Sequence, residues 1–194
     1  MAREALRIIH EEHRALAAML AALRLIAERL GATPAAEDLA LVRAILFYID
    51  EFPERLHHAK ETNVLFPRLR ERAPQSASVL DHLDAQHARG EQAIRELEHL
   101  LLGYEQLGAP RRQAFLDALD RYVHFYNEHI ALEDSEVIPL ALRSLTEEDW
   151  SEVTRAFAEN RDPLTGHKPS EEYAALFDRI VAMAPAPIGL GDNR

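Results

Sequence analysis

Residues 57–67 read HHAKETNVLFP and residues 129–139 read HIALEDSEVIP. Each has a histidine, a glutamate four places on and a proline six places beyond that, and the two frames align without a gap. Residues four apart stack on one face of an α-helix. Each stretch therefore presents an imidazole and a carboxylate together, and their recurrence describes a chain made of two similar halves.

The flanking sequence is helical in character. Glycine is scarce, with seven in 194 residues, and Ala, Leu, Glu and Arg dominate, so propensity favours long helices and no segment reads as a strand. A first helix is expected from about Arg3 to Leu30, with Leu6, Ile9, Leu16, Leu20, Leu23, Ala27 and Leu30 spaced three and four apart. His13 fills the vacant step of that row. After Gly31-Ala-Thr-Pro34, a second helix is expected over about Glu37 to Arg70, with Pro53 and Pro67 kinking or ending it. A third, about Ser78 to Gln106, carries Leu83, Gly90, Ile94, Leu97, Leu101 and Tyr104 on one row, with His87 in its vacant step. A fourth, about Arg111 to Leu142, aligns Leu119, Tyr122, Tyr126, His129, Glu133 and Leu140. Short turns between consecutive helices make them antiparallel neighbours. The expected fold is all-α: an up-down-up-down four-helix bundle over residues 1–145, with a short C-terminal helical extension over 146–194. That extension opens on Thr146-Glu-Glu-Asp149, a helix-start signature.

Composition removes several function classes. A formal net charge of −11 repels phosphate backbones and anionic lipid, so neither nucleic acid nor membrane is an expected partner. The absence of cysteine excludes disulfides, thiolate zinc sites and iron–sulfur ligation. The opening MAREALRIIHEEHR lacks a signal-peptide core, and the longest apolar run, Ala15 to Leu23, is too short to span a bilayer. A cytoplasmic protein is expected.

The two motifs each follow a core-facing histidine, His13 lying 44 residues before His57 and His87 lying 42 before His129. Two facing hairpins then collect His13, His57, Glu61, His87, His129 and Glu133. Buried together, six ionisable groups are tolerated mainly when paired or bound to metal. Four imidazoles and two carboxylates suit iron or manganese and supply enough donors for two ions. Two divalent ions against two carboxylates leave positive charge that invites a bridging hydroxide or oxide and open positions for a small ligand.

In order and spacing, and in the surrounding Leu65-Phe-Pro67 and Ile138-Pro139, these residues resemble the hemerythrin-like, or HHE cation-binding, family over roughly residues 1–145. The resemblance implies two iron ions with the four histidines as terminal ligands and Glu61 and Glu133 as bridges. It also implies a diatomic molecule or peroxide as the partner. One departure concerns the third helix, where the oxygen carriers of that family have a second histidine: His87 is followed at the fourth place by Glu91. The functions in view are a di-iron protein that binds or senses oxygen, nitric oxide or iron; a di-iron enzyme that processes peroxide or nitric oxide; and a structural bundle stapled by metal. A ferritin-like reading from Glu54-x-x-His57 weakens because Tyr126 occupies the matching place in helix four.

The other histidines sort by direction. His82, His99 and His124 lie about 120 to 140° around their helices from the ligands and are expected at the surface. His10 is about 60° from His13 and is read as ordinary packing. His58 lies about 100° beyond His57, so His57 is the expected ligand and His58→Ala is expected to retain both ions, the alternative being that a kink at Pro53, one turn before His57, rotates the segment and brings His58 inward. Tyr122 and Tyr126 are read as core residues, and Gly90 as a place of close helix packing.

Overall fold

The structure, a computed structural model, describes residues 2–159, 162–185 and 188. It contains six helical runs and no strand among the described residues. The long ones are α1 (Ala2–Arg29), α2 (residues 36–72), α3 (Ala77–Leu107) and α4 (residues 109–144), followed by α5 (Glu147–Ala158) and α6 (Glu171–Met183). Each bundle helix packs on its sequence neighbours and α1 closes the ring against α4, while α5 lies on α1 and α6 on α2. None of these helices is long and apolar enough to cross a membrane.

The turns follow from local chemistry. Gly108 alone joins α3 to α4 with φ +71° and ψ −149°, a conformation essentially reserved for glycine. Thr146 and Asp149 form a capping box at α5: Thr146 Oγ1 accepts from the Asp149 amide at 3.2 Å, and Asp149 Oδ2 accepts from the Thr146 amide at 2.9 Å.

Of the two outcomes expected for Pro53 and Pro67, ending the helix does not occur: α2 runs on through both. The helix widens to π geometry over Asp50–His57 and again over Glu61–Leu65. Proline lacks an amide hydrogen and its ring crowds the carbonyl four residues back, so a wider turn relieves both problems. In α4 the same widening spans Glu133–Val137, directly before Pro139. In the two repeats the Phe66 amide reaches back five residues to the Glu61 carbonyl, and the Ile138 amide to that of Glu133. The sequence repeat is thus a backbone repeat, with a π turn opening at each glutamate.

The core has two apolar compartments. One gathers Leu16, Leu20, Leu23, Ile45, Ile49, Ile94, Leu97, Phe115 and Leu119 with Phe177 and Ile180 of α6. The other gathers Ile8, Ile9, Phe66, Leu69, Leu80, Leu83 and Ile138 with Trp150, Val153 and Phe157 of α5. On every bundle helix the switch between compartments falls at the residues singled out above: near His13, His57 to Glu61, His87, and His129 to Glu133. A polar layer therefore divides the bundle, and the C-terminal helices pack into both halves.

Candidate metal centre

The structure brings His13, His57, Glu61, His87, His129 and Glu133 into that layer, each at most 6% exposed. Two overlapping groups could each hold an ion: His58, Glu61, His87 and His129, and His13, His57, Glu61 and Glu133, with the ligand atoms of a group within 4.8 Å of one another. Glu61 belongs to both. Glu133 also faces both, with Oε2 3.2 Å from His13 Nε2 and Oε1 3.4 Å from His129 Nε2. Glu61 Oε1 stands 3.3 Å from His57 Nε2 and its Oε2 3.4 Å from His87 Nε2.

Despite these distances, the Nε2 atoms of His13, His57, His87 and His129 have no hydrogen-bond partner, nor have Glu61 Oε2 and both carboxylate oxygens of Glu133. So many buried, unpartnered donor atoms converging in one layer would be costly in a finished core. A mixed imidazole and carboxylate set of this kind suits a divalent first-row metal.

Each of those four histidines is turned by its other nitrogen. His57 Nδ1–H donates to Glu12 on α1 at 2.8 Å, and His87 Nδ1–H to Thr62 Oγ1 on α2 at 2.9 Å. His129 Nδ1–H donates to Gln86 Oε1 on α3 at 2.9 Å, and His13 Nδ1–H to Asp134 on α4 at 3.1 Å. Every helix thus holds the histidine of the next, and the fourth closes the circle on the first. Holding Nδ1–H in this way leaves Nε2 as the coordinating nitrogen. Glu12, Thr62, Gln86 and Asp134 escaped the sequence reading. The signal was adjacency, since each sits beside a cluster residue in sequence while its partner is on another helix.

Electrostatics show what the metal-free cluster does with its charge. Burial works against a charged His13, but Asp134 and Glu133 outweigh it and push its pKa up to about 9. His87 likewise rises to about 9 against burial, through Glu133 and Glu61. His57 is raised well above the ordinary histidine range, burial again opposing and Glu61 and Glu12 prevailing. Glu133 falls to about 2: burial and the Glu61 charge oppose this, while His129, His13 and His87 overcome them. The carboxylates of the layer thus favour positive charge on His13, His57 and His87.

His58 departs from the sequence expectation. It is 3% exposed and points into the cluster beside His87, the two rings stacked with centroids 4.3 Å apart. The π turns that flank it change the rotation per residue, so the step calculated for a regular α-helix does not describe this segment. Its Nδ1–H donates to Glu54 at 3.2 Å, and the i, i+4 spacing of Glu54 and His58 was the available sign. Burial holds the His58 pKa well below the usual histidine value. Tyr122 and Tyr126, read as plain core residues, both donate to Glu54. Glu91 is exposed and pairs with Arg95, away from the cluster. His10 lies 3.7 Å from Asp134 and outside both groups. His82, His99 and His124 are exposed, as expected.

An apolar cavity walled by Leu16, Phe52, Pro53, Leu56 and Ile130 adjoins His13, His57 and Glu133. It leaves about 10 Å³, room for one water-sized molecule. Phe157 of α5 abuts the His57 ring at 5.7 Å, and Asp162 reaches the same cavity.

Fold and site together define a helical-bundle protein with a buried histidine and carboxylate centre for cations. The sequence profile of the hemerythrin HHE cation-binding domain matches residues 4–141, and the chain belongs to that family. A search of curated proteins gives no match.

Proposed function

We propose that this protein is a non-haem di-iron protein that binds or senses a small molecule such as oxygen or nitric oxide. The observation that carries the reading is the pair of His/Glu groups sharing Glu61, in which four imidazole Nε2 atoms, Glu61 Oε2 and both Glu133 oxygens converge without a hydrogen-bond partner. The residues fit two ions better than one. His58, His87 and His129 would hold one ion and His13 and His57 the other, with Glu61 belonging to both groups and Glu133 facing both. Iron in such a set supplies redox-variable, Lewis-acidic positions with room for an external ligand. The chain's own residues set the limits: the ring of Nδ1 hydrogen bonds fixes the imidazoles, and the apolar cavity beside His13 and His57 has room for about one water-sized molecule.

A peroxide- or nitric-oxide-processing enzyme is the second reading, favoured by Asp162. Burial raises this carboxyl to a pKa of about 6, so a group that gains and loses a proton just below neutral pH lines the cavity. One experiment separates the readings. The full chain is reconstituted anaerobically with Fe(II), its metal content is measured, and it is titrated optically with oxygen, nitric oxide and peroxide. Two iron ions per chain and a stable adduct without turnover are expected. A single-metal stoichiometry in fully loaded protein refutes the di-iron reading, and sustained turnover moves the assignment to the enzyme.

A further inference from the structure

His58 is the one histidine of the cluster outside the ring of cross-helix hydrogen bonds. Its partner, Glu54, lies four residues earlier on the same helix. Such a pair on its own fixes little, because both side chains can turn together, and a carboxylate only 2% exposed needs more than one donor. The missing donors come from α4. Tyr122 Oη donates to Glu54 Oε1 at 2.7 Å, and Tyr126 Oη donates to the same oxygen. The Tyr126 ring also lies parallel to His58, with centroids 5.7 Å apart and 1° between the planes.

This junction of α2 and α4 sits against α3 at Gly90. A Cβ added there would stand 1.9 Å from Tyr126 Oη and 2.9 Å from Glu54 Oε2. Glycine inside a helix costs about 1 kcal/mol relative to alanine, and here the missing side chain is the space that the phenol and the carboxylate share.

We propose that Gly90, Tyr122, Tyr126 and Glu54 form a positioning device, spread over three helices, that holds His58 aimed at the three-histidine metal position. The inference rests on the two-metal reading above. A packing role alone would lower overall stability and affect both ions alike. Positioning through His58 affects one ion, and only while His58 is present.

The test uses the full chain and Co(II), whose absorption reports coordination, titrated anaerobically against a chelator to give two stepwise affinities. Glu54→Gln is expected to weaken one of the two ions about 10- to 100-fold and to leave the other within about twofold. Tyr126→Phe and Gly90→Ala weaken the same ion. With His58→Ala in place, adding Glu54→Gln changes either affinity by less than about twofold. The inference is overturned if Glu54→Gln and Tyr126→Phe leave both affinities at the wild-type level, or if Glu54→Gln acts as strongly without His58 as with it. Those two variants keep side-chain shape and carry the test however Gly90→Ala folds. A wild-type chain that takes up no Co(II) overturns the two-metal reading and this inference with it. Two ions in the wild type and an indifferent Glu54→Gln overturn the positioning device alone.

Discussion

Loading the centre with a divalent metal should expel protons, and the structure sets how many. In the metal-free cluster His13 and His87 each titrate at about 9, burial being outweighed by the surrounding carboxylates. At pH 7 a group with that pKa is about 99% protonated. An imidazole must give up its Nε2 proton to coordinate, so at least two protons leave per chain, and His57, also raised, adds to them. Glu61 and Glu133 are held anionic by the same histidines and release none. His13 and His87 belong to different groups, so each ion displaces at least one proton and the product of the two apparent affinities rises at least about a hundredfold per pH unit between roughly pH 6 and 8. The perturbation is Co(II) titration of the metal-free chain in weakly buffered solution with a pH indicator, repeated across that range against a chelator. Release of two or more protons at pH 7 and the steep slope are expected. Fewer than about one proton per chain, or an affinity independent of pH, would refute the reasoning, because histidines held charged by Glu61 and Glu133 cannot bind metal without titrating.

Three further outcomes follow from packing and charge. Phe157→Ala removes a fully buried ring that abuts His57 and lies under the Lys60 ammonium, so a loss of about 3 to 5 kcal/mol is expected from urea unfolding, and a loss below about 1 kcal/mol would show α5 to be peripheral. Asp162 has a pKa raised by burial from 3.8 to about 6, so its neutral form favours the fold and its contribution is complete below pH 3.8 and lost as pH rises through 6. Relative to Asp162→Asn, the wild type should lose about 3 kcal/mol of stability over that interval, and unfolding curves that stay parallel from pH 4 to 6 would contradict it. Thr146→Ala opens the capping box of α5 and should cost about 1 kcal/mol in the same unfolding assay, with no change in metal stoichiometry.

The repeat of His57, Glu61 and Pro67 in His129, Glu133 and Pro139, with the apolar rows around it, was enough to give the helical bundle and six residues that the structure buries in one polar layer, because helical spacing turns sequence distance into direction. The core row of the third helix marked Gly90 as a place of close approach. Direction fails as a guide where the helix ceases to be regular. The π turns around Pro53 and at Glu61 alter the rotation per residue, so His58 faces the cluster although an ideal α-helix turns it away. The residues that steer the histidines were illegible for a different reason. Glu12 lies beside His13 in the chain but holds His57, and Asp134 lies beside Glu133 but holds His13. A hydrogen bond between helices depends on their azimuth and axial offset, which packing of the two apolar compartments decides. The same holds for Tyr126 reaching Glu54 across the notch at Gly90, and for Phe157 closing over His57 from beyond the matched domain. Periodicity along one helix determines which residues face inward; which of them touch is settled only when the helices are set against one another.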